Sequence, residues 1–305
     1  MLIRVLGSAA GGGFPQWNCG CFNCEGIRKG TIVAQARTQE SVALTAHSDA
    51  WFLLNASPEV RQQIEAFPSL HPRSARDTPI EGILLTNGDL DHCLGLLSLR
   101  ESQPLTIYAT ERVWRGFTEG NVLFRTLERF EGQITWRPLR LNVTQPLRLQ
   151  DGTESGLSVC PIAIPGKLPI HLDGLVPDPE DNIGLRITDQ RSGKVLVYLP
   201  AVGAATPGVG QAVAGAGLVF FDGTFWSSDE LIEQQLGDKH AEDMAHWPVG
   251  GESGSLSWLR KLSQVRRVLI HVNNTNPLLR DNSSERGQVE TAGVEVAYDG
   301  MELSL

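Results

Sequence analysis

Four short stretches of this chain carry residues that could do chemistry together. Thr86-Asn87-Gly88-Asp89-Leu90-Asp91-His92 packs two carboxylates and an imidazole into one run. Phe220-Phe221-Asp222-Gly223-Thr224 sets a carboxylate directly after apolar residues, and Leu269-Ile270-His271-Val272-Asn273-Asn274 does the same with an imidazole. Between them lie His246, in Asp243-Met244-Ala245-His246-Trp247-Pro248, and His240, whose charged setting marks it as a surface residue. Carboxylate and imidazole together are borderline-hard ligands that suit Zn, Mn or Fe(II). Each stretch has a plainer alternative. Asp89 or Asp91 can cap a helix by accepting backbone N–H bonds, Asp222-Gly223 is a common turn, and His271 can be a satisfied core histidine. Three such strand ends in one chain favour a shared site over three coincidences.

The fourth stretch, residues 18–24, is Asn18-Cys19-Gly20-Cys21-Phe22-Asn23-Cys24, a Cys-x-Cys-x-x-Cys run in which glycine lets the backbone fold tightly. Three thiolates and one further ligand make a closed tetrahedral zinc site that stabilises a fold and leaves no position for substrate. A redox relay and chance clustering are the competing readings. Cys93 and Cys160 sit in apolar surroundings and read as core.

The elements that must position these groups follow from periodicity. Ile3 to Leu6 is a short strand running into a glycine-rich loop; Val42, Leu44 and Ala46 alternate, His47-Ser48-Asp49 turns the chain, and Trp51 to Leu54 returns as the second arm of a hairpin. Ser57-Pro58-Glu59 starts a helix with Val60, Ile64 and Phe67 on one face. Ile80 to Thr86 is a strand that ends at Asn87-Gly88-Asp89, followed by a helix carrying Leu94 and Leu97. Further strands are expected at Leu105 to Tyr108, Ile134 to Trp136, Leu157 to Ile164, Ile183 to Thr188, Lys194 to Leu199, Leu218 to Phe221 and Val268 to His271, and residues 202–217 turn small and glycine-rich. Buried apolar strands tied to helices, with some hairpins, give an α/β layered fold of partly antiparallel sheets. Such sheets place their sites at strand ends, where the candidate residues fall.

Composition narrows the function classes. The chain has 305 residues, a formal net charge of -9, 41% apolar residues and five cysteines. That is enough to bury a sizeable core as one domain spanning 1–305. An acidic balance with no basic run argues against a nucleic-acid partner. No apolar run is long enough to span a membrane, and Met1-Leu2-Ile3-Arg4-Val5-Leu6-Gly7 is no export signal, so the expected location is cytoplasmic. An odd number of cysteines in that compartment is no disulfide framework.

The residues also carry a resemblance that covers essentially the whole chain. Thr86 to His92 lies where metallo-β-lactamase-fold hydrolases have His-x-His-x-Asp-His, Asp222-Gly223-Thr224 looks like their bridging Asp, and His271 like their last His. More narrowly, Gly11-Gly12-Gly13-Phe14-Pro15-Gln16-Trp17-Asn18-Cys19, Thr86 to His92, Pro165-Gly166-Lys167, Phe221 to Trp226 and His271-Val272-Asn273-Asn274-Thr275-Asn276-Pro277 resemble the PqqB family of pyrroloquinoline quinone (PQQ) biosynthesis. The resemblance implies a four-layer αββα sandwich and a role in making PQQ from the Glu and Tyr of a precursor peptide. It further implies iron- and O2-dependent hydroxylation of the tyrosine ring in a Glu-Tyr-derived substrate, in a family earlier described as transport factors.

Departures from the hydrolase pattern bear on the metal. Asn87 and Asp89 stand where hydrolases have their first two His, and Lys167 where a third follows Pro-Gly. A two-metal hydrolase clamps both attacking and leaving oxygens, and these replacements strip much of one ion's shell. Asp91, His92, Asp222 and His271, with Asp89 and His246 nearby, are left to hold one divalent ion with open positions, as non-haem Fe(II) requires. Lys167 would be repelled from such an ion and is expected to grip a substrate carboxylate instead. In related phosphodiesterases a His three residues beyond the last active-site His completes the three-Cys zinc site; the matching residue is Asn274, so its oxygen is the expected fourth zinc ligand. Alternatives are a metal hydrolase and a non-catalytic carrier of a PQQ intermediate. The partner expected is a Glu-Tyr-derived small molecule, and a homodimer stays open.

Overall fold

The computed structural model describes residues 1–47, 49–172 and 175–305. Its strands are β1 (Leu2–Gly7), β2 (Ser41–His47), β3 (Ala50–Leu54), β4 (Ile80–Leu84), β5 (Leu105–Ala109), β6 (Ile134–Pro138), β7 (Gln145–Arg148), β8 (Glu154–Ala163), β9 (Ile183–Asp189), β10 (Val195–Leu199), β11 (Leu218–Asp222), β12 (Arg266–Ile270), β13 (Glu295–Val296) and β14 (Glu302–Ser304). They form two seven-stranded mixed sheets, ordered β14-β1-β2-β3-β4-β5-β6 and β13-β12-β11-β10-β9-β8-β7. The expected hairpin is β2 with β3, antiparallel; its turn includes Ser48, which lies outside the described residues.

Strand alternation builds the layers. On β11, Leu218 and Phe220 point into the core between the sheets, while Val219 and Phe221 point outward. On β3, Phe52 and Leu54 point inward and Trp51 and Leu53 outward. The space between the sheets is closed by large rings, with Tyr198 edge-on to Phe220 at 6.2 Å between centroids. Two-sided burial is why these strands read as unbroken apolar runs. Helices Val60–Glu65 and Glu111–Thr118 cover the outer face of the first sheet through Val60, Val113 and Phe117. Helices Pro207–Val213, Ser255–Leu259 and Ser284–Thr291 cover the second through Val209, Leu256 and Val289. The result is the αββα sandwich.

Several local expectations change. The helix after Asp89 is only Leu90–Cys93, and a tighter 3₁₀ segment, Leu94–Leu99, continues it. The change of pitch rotates the apolar stripe, so Leu96 is buried while Leu94 is 36% exposed. The glycine-rich stretch after Val202 contains the helix Pro207–Val213, started by Thr206, whose side chain accepts from the Val209 N–H. Cys93 is core as expected, but Cys160 is half-buried, since neighbouring Val159 takes the inward position on β8. No helix among the described residues is long and apolar enough to cross a membrane.

Candidate metal centre at the rim of the sandwich

One rim of the sandwich gathers the predicted chemistry. Asn55 follows β3, Thr86 to His92 follow β4, Asp222 ends β11, and His271 follows β12. Asp89, Asp91, His92, Lys167, His246 and His271 line a single cavity of about 310 Å³. Asp222 lies behind it, fully buried. His240 is exposed, with Nδ1 2.6 Å from the Asp229 carboxylate, as its setting implied.

The helix-cap alternative for the first motif does not hold. Asp89 occupies the N-cap position, yet its side chain makes no capping bond. Asn87 organises the turn instead: its Oδ1 accepts from the Asp89 N–H at 3.0 Å and its Nδ2 donates to Asn182 Oδ1 at 3.1 Å. Both carboxylates are thereby free to face the cavity. Gly11 packs against this corner, where a Cβ would lie 3.3 Å from Asp91 Oδ2.

Asp91, His92 and His271 present ligand atoms within 4.8 Å of one another, and so do Asp222, His246 and His271. Hydrogen bonds fix the tautomers of both imidazoles in the first group. Thr224 Oγ1 donates to Asp222 Oδ1 at 2.6 Å, so it must accept from His271 Nδ1, 2.8 Å away. Thr86 Oγ1 donates to Asn55 Oδ1 at 3.1 Å and therefore accepts from His92 Nδ1, also at 3.1 Å. Each relay leaves Nε2 as the ligating nitrogen, the arrangement by which partners of a metal-bound imidazole orient it. His271 Nε2 stands 3.2 Å from Asp91 Oδ2, and His92 Nε2 is buried without any hydrogen-bond partner. An orphaned imidazole nitrogen beside a carboxylate is the vacancy that a divalent ion satisfies, so the residues fit the metal the sequence implies.

Electrostatics agree with that assignment. Burial pushes the Asp91 carboxyl up, but the neighbouring His92 and His271 outweigh it and hold it well below the ordinary range. Burial lowers His92 to about 4, so it is neutral and ready to ligate. Burial pulls the His271 imidazole down, but its bond to Asp91 and the charges of Asp91 and Asp222 outweigh that and raise it overall. Asp222 is also depressed overall, since His246 overcomes the cost of burial. Both its oxygens are committed: Oδ1 to Thr224, Oδ2 to the Val202 N–H at 2.8 Å and His246 Nδ1 at 2.7 Å. Asp89 is raised by burial and by the charge of Asp91, with Lys167 partly opposing.

The thiol cluster forms a separate site. Cys19, Cys21 and Cys24 bring their sulfurs within 4.8 Å of one another. The Asn274 amide caps them, its Nδ2 lying 3.2, 3.7 and 3.4 Å from the three sulfurs in turn. Amide nitrogen has no lone pair to give a metal; a half-turn of this side chain puts Oδ1 in the same place. Burial pushes the Cys24 thiol up to about 12. A redox relay needs a thiolate near neutrality, which burial denies to Cys24, whereas a cation held by the thiols would reverse that shift.

Sequence reasoning missed Glu40, Asn55 and the roles of Thr86 and Thr224. Glu40 is wholly buried at the head of β2 and is pushed up to about 8 by that burial. Only the run of two charged or amide residues before a strand, Gln39-Glu40, hinted at it, and that pattern reads as surface.

Residues 50–272 match the family model of the beta-lactamase superfamily domain, which with the two sheets makes this a metallo-β-lactamase-fold protein. The coenzyme PQQ synthesis protein B of Stutzerimonas stutzeri is 44% identical over 307 residues and that of Azotobacter vinelandii 44% over 310, each covering 100% of both chains. The crystal structure of Zn(2+)-bound PqqB from Methylobacterium extorquens superposes with a TM-score of 0.92 at 40% identity, covering 100% of both chains. The chain belongs to the coenzyme PQQ synthesis protein B family. A diphosphatase of the PhnP family shares the fold at a TM-score of 0.69 and 20% identity, covering 100% of this chain and 97% of its own.

Proposed function

We propose that this protein hydroxylates the tyrosine ring of a Glu-Tyr-derived precursor in PQQ biosynthesis, in the cytoplasm, using one Fe(II), O2 and two electrons from an external reductant, which take the second oxygen atom to water. The observation that carries the reading is the Asp91, His92 and His271 group, with both imidazole tautomers fixed, on the wall of a cavity sized for a small molecule. Two imidazoles and a carboxylate are the ligand set of non-haem iron oxygenases. Iron held there would supply the O2 chemistry that side chains lack.

The chain's own residues do the rest. Lys167, exposed at the cavity mouth, pairs with a carboxylate of the precursor. Asp222 takes the Nδ1 hydrogen of His246, which leaves His246 Nε2 as the basic atom to accept a proton from the ring. Zinc belongs at Cys19, Cys21 and Cys24, with Asn274 turned to present its oxygen.

Anaerobic loading with Fe(II), followed by O2 uptake with a Glu-Tyr dipeptide and a reductant, tests the reading; iron-dependent uptake and a hydroxylated ring are expected. No iron-dependent turnover overturns it. A metal-hydrolase reading draws on the second group, Asp222, His246 and His271, which shares His271 with the first. It predicts zinc-supported turnover without O2 and, in a dinuclear form, two ions per active site.

A further inference from the structure

A cavity of about 780 Å³, more than twice the volume of the one beside Asp91, opens on the far rim of the first sheet. Strands β3, β4, β5 and β6 run parallel, so the loops that precede them share one end of the sheet. The loops that follow them, with Asn55 and Thr86 to His92, share the other. Arg76 precedes β4, Arg100 precedes β5, and Arg125 and Arg129 precede β6; all four line this cavity. Phe124 and Leu127 are buried against the first sheet and pin the segment before β6, which leaves Arg125 and Arg129 exposed.

The positive charge of this basin is not answered within the chain. Asp77, next to Arg76, is already held by Arg73 at 2.7 and 3.1 Å. Glu101 is the one carboxylate among the described lining residues, and it lies 3.9 Å from Arg100. Among the described residues Arg76, Arg125 and Arg129 have no ion-pair partner. On a chain of net charge -9, four arginines against one acid reverse the sign of the surface, and like charges so gathered repel until an anion joins them.

The shape says which anion. Through the wall formed by Arg76, Glu101 and Gln103 the basin adjoins a second hollow of about 260 Å³, lined by Ile64, Leu70, Leu99 and Leu105. A basic basin beside an apolar hollow suits a ligand that carries carboxylates and apolar side chains together. No lysine lines the basin, and the planar guanidinium fork matches a carboxylate with two parallel bonds. One small anion cannot span four arginines around such a volume, and the flat surface of a membrane cannot reach the floor of a concavity.

We propose that this basin docks an acidic peptide segment of a partner protein, with carboxylates on the four arginines and an apolar side chain in the hollow beside Leu99. Its place on the rim opposite the metal ligands makes it a docking surface, independent of the chemistry at Asp91.

The probe is a short fluorescein-labelled peptide of alternating Glu and Leu, titrated by anisotropy with the full-length zinc-loaded protein at low salt. Saturable binding that weakens as salt rises is expected. Arg125→Glu combined with Arg129→Glu should weaken it by about tenfold or more without lowering the melting temperature, since both side chains are exposed. Arg260→Glu, an exposed arginine after the helix Ser255–Leu259 on the second sheet, should leave binding unchanged. A Gln-Leu peptide should not bind, and a Glu-Ser peptide should bind more weakly than Glu-Leu. No saturable binding of the Glu-Leu peptide overturns the proposal, as does unchanged affinity in the double variant or an equal loss in Arg260→Glu. Equal binding of the Glu-Ser peptide overturns the part given to the apolar hollow. Capture of phosphatidylserine vesicles in place of the peptide overturns the peptide in favour of a membrane.

Discussion

The cysteine cluster and the carboxylate–imidazole cluster hang on one short segment yet are built on opposite principles. His271 and Asn274 both come from the loop after β12, one serving each site. Around the cysteines, three sulfurs and the Asn274 amide face one another, with Cys21 and Cys24 buried, and none of them lines the cavity that carries Lys167 and Asp89. Around Asp91 the ligands crowd one side, and the other side opens on about 310 Å³ of cavity. Closed sulfur sites hold structure and open oxygen–nitrogen sites do chemistry. The difference teaches that ligand softness and ligand direction, rather than distance along the chain, divide the two roles.

The largest effects should separate the sites outright. Asp91→Ala combined with His92→Ala should abolish turnover and the second ion while the zinc stays, as metal analysis per chain would show; loss of both metals would break the division. Cys21→Ser or Cys24→Ser should release zinc and cost on the order of 3 kcal/mol in denaturant unfolding, the scale of losing a structural metal. Next comes the orientation relay. Thr224→Val should weaken active-site Mn2+ by about 10- to 100-fold with zinc untouched, and Thr224→Ser should restore it. Lys167→Ala should raise KM for an anionic substrate by about fivefold, leave kcat near wild type and shrink in high salt, as an exposed ion pair does.

The smallest effect concerns the segment the two sites share. Glu230 accepts hydrogen bonds from the Thr275 hydroxyl and from the Trp226 N–H, and burial pushes its carboxyl up from 4.5 to about 7. The folded state therefore keeps a proton that the unfolded chain has lost between those values. Stability from this group is fully present below pH 4.5 and declines as pH rises towards 7. Glu230→Gln should flatten that part of a melting-temperature profile against pH; an unchanged slope would remove Glu230 from the account.

Much of the site was legible because its carboxylates and imidazoles sit where strands end and its thiols crowd into one short run. Asp91, His92, Asp222, His271 and the three cysteines were visible from residue type and spacing, and the structure gathers them into two clusters. The layered fold was legible for a related reason: β10 and β11 are buried on both faces and so are apolar throughout. The supporting residues stayed hidden. Asn55 looks like a turn residue and Glu40 like a surface acid, and their meaning lies in the bonds that join Asn55 to Glu40 and to Thr86, which no local pattern encodes. The phase of the helix after Asp89 was lost because the switch to 3₁₀ geometry answers packing, not propensity.

Asp91 comes from the first sheet and His271 from the second, and the bond between them spans 180 residues. Neither sheet owns the site, which exists only once the two have docked face to face. An ion bound there acts as a rivet between the layers: it meets its full ligand set in the native state alone and stabilises that state by mass action. Residues so far apart in the chain meet only when the long intervening loop has closed, so an unfolded chain offers no such ligand set, and metal uptake here would report that the two sheets have docked.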